Sequence, residues 1–164
     1  MRSRTATWFE CKIRYEKMMD DGTQKKVSES YVVDALSFSE AEERITEEMS
    51  AYISGDFDVI DIKRAPYGEI FFSDGPTDDR WYKAKLQFIT IDEKTEKEKR
   101  SSVNYLVQGG TLASALKNTD DVMGGTMNDY VVSSLAETTL MDVFEYKKQQ
   151  AADAGQTETA EQQA

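Results

Sequence analysis

The chain contains no histidine, a single cysteine and no apolar run approaching the ~20 residues that a membrane-spanning helix needs. Without histidine, the commonest general base, triad member and imidazole metal ligand are missing. One thiol, Cys11, excludes an intrachain disulfide and a cysteine–histidine nucleophile pair, and it falls short of a zinc site. A lone cysteine also points to a cytoplasmic setting. No phosphate-cradling glycine loop of the Walker or dinucleotide type occurs. The first residues are not expected to form a signal peptide, because Glu10 interrupts any apolar region before it develops. These absences argue against an enzyme and against a bound metal or cofactor.

The balance of 20 basic and 31 acidic residues gives a net charge of −11. Such a surface disfavours non-specific duplex binding, which is driven by counterion release, and favours basic partners. A local basic groove is still allowed, since net charge says nothing about where the charges lie.

Much of the chain is written twice. Trp8-Phe9-Glu10-Cys11-Lys12-Ile13-Arg14-Tyr15 returns 73 positions later as Trp81-Tyr82-Lys83-Ala84-Lys85-Leu86-Gln87-Phe88. Tyr31-Val32-Val33 returns 74 positions later as Tyr105-Leu106-Val107, and Glu69-Ile70-Phe71 returns at 73 as Asp142-Val143-Phe144. Recurrence at a fixed period decides architecture before any local reading does.

Within each copy the elements are legible. Phe9, Cys11, Ile13 and Tyr15 alternate with Trp8, Glu10, Lys12 and Arg14, the pattern of a half-buried strand. Asp20-Asp21-Gly22 signals a turn into a second strand over 26–35. Ser37 and Ser39 are both candidate helix caps, each with a glutamate three residues on, and Gly55 is the expected stop. Phe38, Ala41, Ile45, Met49 and Tyr52 form the apolar stripe of that helix. A third strand near 57–62 and a short extension at 69–72 complete the unit. The second copy repeats the order with strands at 80–91 and 99–108, a helix from Thr111, a strand at 129–137 and an extension at 140–146. The expected fold is therefore α+β: a duplicated β-β-α-β unit with antiparallel-rich sheets and two helices on one face. The repeats occupy 7–72 and 80–146, joined by a linker at 73–79. The tail at 147–164 lacks core-forming residues and is expected to be disordered.

The repeated tryptophan is the main candidate for function. On the alternation, Trp8 shares a face with Lys12 and Arg14, and Trp81 shares one with Lys83 and Lys85. A ring beside two cations suits base stacking with phosphate neutralisation, and Lys63 and Arg64 could add to it. Tryptophan and arginine also dominate protein contacts, and the indoles could simply close the sandwich. The acidic helix face of Glu40, Glu43, Glu47 and Glu48 is the alternative surface, for a basic protein partner. Asp20/Asp21, Asp78/Asp79 and Asp120/Asp121 fall in turns or linkers, where aspartate serves local backbone bonding more often than magnesium. Cys11 reads as a small buried hydrophobe, replaced by Ala84 in the second copy. Gly109-Gly110-Thr111 ahead of a helix reads as a tight turn, with an anion site as the weaker alternative.

Trp8-Phe9-Glu10-Cys11-Lys12, Tyr31-Val32-Val33-Asp34-Ala35-Leu36-Ser37-Phe38-Ser39-Glu40-Ala41-Glu42 and Ile62-Lys63-Arg64-Ala65 together resemble the bacterial domain-of-unknown-function family numbered 4494, with Phe-Glu-Cys as its signature. The resemblance spans about 7–146. It implies no catalytic residues. It does imply a setting in gut anaerobes and their phages and mobile elements, which favours a role with nucleic acid. The expectation is a non-enzymatic, cytoplasmic binding protein without membrane contact. Its expected partner is single-stranded nucleic acid or a basic protein, and a homodimer is allowed.

Overall fold

The computed structural model describes residues 1–146; the expected disorder of 147–164 lies outside the described residues. The strands are β1 (Arg2–Thr5), β2 (Trp8–Met18), β3 (Gln24–Asp34), β4 (Phe57–Arg64), β5 (Glu69–Phe72), β6 (Arg80–Ile91), β7 (Glu98–Gly109), β8 (Tyr130–Glu137) and β9 (Leu140–Phe144). The helices are α1 (Phe38–Ser50) and α2 (Leu112–Met123). The α+β class holds. None of the helices among the described residues is long and apolar enough to cross a membrane.

Local chemistry sets the helix boundaries. Ser37 caps α1 by accepting the Glu40 N–H at 3.1 Å, and the Glu40 carboxylate accepts the Leu36 N–H at 3.2 Å. Of the two candidate serines, Ser37 is thus the cap. Thr111 and Ser114 cap α2 reciprocally, at 3.1 and 2.9 Å. α1 ends earlier than Gly55, with Ala51 as its cap.

The strands form two sheets, in the orders β1-β5-β7-β6-β8 and β4-β2-β3-β9. Each half contributes a three-stranded antiparallel core, β4-β2-β3 or β8-β6-β7. Both cores carry a bulge at the same place, between Lys12 and Ile13 and between Lys85 and Leu86. The closing strands are exchanged. β5, which ends the first half, pairs in parallel with β7 of the second. β9, which ends the second half, pairs in parallel with β3 of the first.

Each helix covers one face of its own sheet, so the pair expected on a single face is divided between two. Under α1 lie Phe9, Cys11, Ile13, Tyr31 and Val33 with Ala41, Ile45 and Met49. Under α2 lie Ala84, Leu86, Tyr105, Val107 and Phe71 with Met123. The faces turned away from the helices meet over Trp8, Val32, Val143, Tyr67, Ile70, Phe72, Trp81 and Leu106. The order of layers is helix, sheet, sheet, helix.

β1, a short polar strand that carries no periodic signal, is held by charge as well as by its pairing to β5. Arg4 lies 2.5 Å from Asp34 and 3.0 Å from Glu145, and Arg2 also pairs with Glu145. The buried Arg44 of α1 approaches Asp34 at 3.4 Å. These pairs tie β1, the end of β3, α1 and the residue after β9 into one cluster. Burial pushes the Glu145 carboxyl up, and hydrogen bonds and charge from Arg2 and Arg4 more than offset it, leaving the group below its ordinary value.

Two outcomes are expected. Because each half lacks a strand that the other supplies, separately produced 1–75 and 76–146 fragments should show little native circular dichroism, and mixing them should restore it. A fragment that melts cooperatively alone would contradict this. Glu145 stabilises the fold while ionised, and that contribution is lost as pH falls from the ordinary value of ~4.3 through its lowered folded value. Thermal melts should therefore show Glu145→Gln less stable than the parent near neutrality, with the gap closing as pH falls below the ordinary carboxylate value.

Candidate functional site

Alternation along β6 places Trp81, Lys83, Lys85 and Gln87 on the face opposite α2, and the corresponding face of β2 holds Trp8, Glu10, Lys12 and Arg14. Only the tryptophan end of each face is covered by the other sheet. Trp8 is 2% exposed and Trp81 3%. Phe72 packs on both indoles, at 6.5 Å from Trp8 and 5.6 Å from Trp81. This corrects the stacking role expected of the two tryptophans, since neither ring can receive a base. The alternation separated the two sides of the strand correctly, and the second sheet makes the Trp side dry at this end.

Further along, both faces open to solvent, and they differ in charge. On β4-β2-β3, Lys12 stands opposite Asp61 and Ser30, and Arg14 opposite Asp58 and Ser28. Glu10 stands opposite Lys63, whose ammonium lies 3.4 Å from its carboxylate. Tyr67 donates to the other Glu10 oxygen at 3.0 Å, and burial together with that carboxylate raises the phenol well above its ordinary value. Each cation here has a carboxylate beside it.

On β8-β6-β7 the same positions are neutral. Lys85 stands opposite Ser134 and Asn104, Lys83 opposite Ala136 and Leu106, and Gln87 opposite Val131 and Ser102. Arg100, opposite Ile89, donates to Gln87 at 3.3 Å, and it pairs with Glu98 at 3.7 Å near the hairpin end. Lys83, Lys85 and Arg100 thus make a cationic face lined by amides and hydroxyls. Arg100, Asn104 and Ser134 were not singled out by sequence reasoning; the strand pairing that brings them beside Lys85 is a long-range property.

Arg64 stands opposite Phe9, on the helix side of β4, so it does not join Lys63 on the open face. Along α1, Glu43 and Glu47 are exposed one turn apart, Glu48 is half-buried, and Glu40 serves the helix start. Cys11 is fully buried and its thiol is pushed up to about 12, by burial first and then by Asp61 and Glu10, so it is not a nucleophile.

The other candidates have structural work. The N–H groups of Gly110 and Thr111 both go to the Ser114 hydroxyl at 2.9 Å. A Cβ on Gly110 would lie 2.5 Å from the Thr77 carbonyl, so this turn needs glycine for close packing. Asp21 accepts from the backbone and hydroxyl of Thr23, Asp78 from Ser73 and Asn118, and Asp120 from Tyr130. Among the described residues no three histidine, cysteine or carboxylate groups converge as a metal site would require.

Comparison with known proteins adds a family. No curated protein and no solved structure matches the chain. A family model covers residues 7–146, the span that holds both halves and both open faces. The chain belongs to the family described as Domain of unknown function (DUF4494).

Proposed function

We propose that this protein is a non-enzymatic binding module that takes the backbone of single-stranded nucleic acid on the open β6-β7-β8 face. The observation that supports it is the charge difference between two equivalent faces. Asp58, Asp61 and Lys63 of the first become Val131, Ser134 and Ala136 in the second, which frees Lys83 and Lys85 of carboxylate neighbours. Two lysines at i and i+2 on one strand face project ~6.8 Å apart along it. Gln87, Ser102, Asn104 and Ser134 around them donate and accept without charge. With the indoles buried, affinity rests on phosphates rather than on base stacking, so binding is indifferent to sequence and sensitive to salt. The phage and mobile-element setting that the family resemblance implies is one where single strands arise.

A second reading has its own observation. Glu43 and Glu47 lie exposed one turn apart on α1 in a chain of net charge −11, a surface suited to a basic protein.

Fluorescence anisotropy of a labelled oligonucleotide at low salt separates the two. The parent chain should bind, with a slope of log affinity against log salt of about −1.5 to −2 for two or three phosphates. Lys83→Ala with Lys85→Ala should weaken binding at least about tenfold, the loss of ~1.4 kcal/mol. Lys12→Ala with Arg14→Ala should leave it nearly unchanged. No binding at tens of micromolar, or equal losses in both double variants, would remove the nucleic-acid reading.

A further inference from the structure

Among the described residues, the outer edge of β8 is long and unguarded by charge over most of its length. Residues 130–136 read Tyr-Val-Val-Ser-Ser-Leu-Ala, seven residues with no charge and no proline, at the end of the five-stranded sheet. Open edges of this kind are normally blunted by charge, proline or cover, because their unpaired backbone groups accept another strand. The equivalent edge strand of the other sheet, β4, is blunted in that way. It reads Phe-Asp-Val-Ile-Asp-Ile-Lys-Arg, with Asp58, Asp61, Lys63 and Arg64. Both edges carry the same bulge, so the bulge does not explain the difference.

A second asymmetry lies beside the first. Tyr130 of β8 donates to Asp120 of α2 at 2.8 Å, which places the Asp120 flank of the helix over this edge. Leu116, one turn earlier on that flank, is 41% exposed, and Leu112 is 53% exposed. The position of α1 that corresponds to Leu116 holds Glu42. The edge of β8 and the Leu116 position beside it therefore both carry no charge where the first half has one.

We propose that β8 pairs antiparallel with β8 of a second copy of this chain, joining the two five-stranded sheets into one. A second copy fits this edge on three counts. It supplies an equally long strand, it brings no charge against a charge, and a twofold axis closes the assembly. Onward growth is blocked, because the other edge of the same sheet is β1, which is short and carries Arg2 and Arg4 held in ion pairs. An antiparallel pairing has its axis perpendicular to the sheet, so the Lys83 and Lys85 faces of both copies lie on the same side. The pairing itself requires nothing of the nucleic-acid reading.

The test is light-scattering mass during gel filtration of the full chain, without nucleic acid. The parent should run at twice the chain mass and dissociate on dilution. A variant carrying Val131→Asp, Ser134→Asp and Ala136→Lys, which transplants the charges of β4, should run at the chain mass with unchanged circular dichroism. Amide exchange on the parent gives a second measurement should the variant fail to fold. Protection of 130–137 should rise with protein concentration while that of 57–64 stays fixed. A parent of single-chain mass at every concentration overturns the proposal. So does a folded variant that remains dimeric, or protection in β8 that ignores concentration.

Discussion

The exchange of closing strands is the constraint on which the rest of the fold depends. β5 leaves the first half to lie beside β7, and β9 leaves the second to lie beside β3. Each must cross from one sheet to the other, through residues 65–68 in the first case and Thr138-Thr139 in the second. The crossings draw the two sheets together at one end, where Trp8 and Trp81 are enclosed, and leave the far ends of both faces open. Parallel pairing across such separations delays the return of loop-closure entropy, so the shared core forms only when both halves are present. The same geometry that buries the indoles therefore creates the open lysine face beyond them.

The two crossings are fastened by different chemistry at corresponding positions. Arg4, Asp34 and Arg44 form the ionic cluster, and 74 positions later stand Asp78, Gln108 and Asn118. There Asn118 donates to the Gln108 carbonyl at 2.9 Å and to Asp78 at 3.2 Å, and the Gln108 side chain accepts the Ser73 N–H at 2.9 Å. Both sets bind the chain before a half to its second strand and its helix. Their vulnerability differs. Removing one partner of a buried ion pair leaves an uncompensated charge and costs about 3–5 kcal/mol, whereas an orphaned amide costs about 1–3 kcal/mol. The first crossing is the more sensitive of the two, and among the described residues Arg44 Nη1 there has no hydrogen-bond partner.

Local pattern revealed what local physics determines. The alternation of Phe9, Cys11, Ile13 and Tyr15 and the Ser37 and Thr111 starts of the helices were all legible. β1 was not, because four residues of Arg-Ser-Arg-Thr become a strand only when β5 and Glu145 are there to meet them. The exchange of β5 and β9 was invisible for the same reason: a strand's sequence says which face is apolar, not which neighbour it joins. The tryptophans were misjudged at one step. Alternation assigned their side correctly, but the wetness of that side is set by the other sheet. Arg64 was grouped with Lys63 although adjacent strand residues point to opposite faces.

Two versions of one surface inside a single chain serve as each other's control. If the overall charge of −11 were the functional signal, the acids would be spread over both halves. Instead the first half carries Asp58, Asp61 and Glu42, while the matching Val131, Ser134 and Leu116 are apolar or hydroxylic. Field effects from the acidic half fade over a Debye length of ~8 Å at physiological salt, so they do not cancel lysines on the other sheet. They do repel an anion approaching from the first half. The open Lys83 and Lys85 face and the uncharged edge of β8 both arise from the same removal of charge.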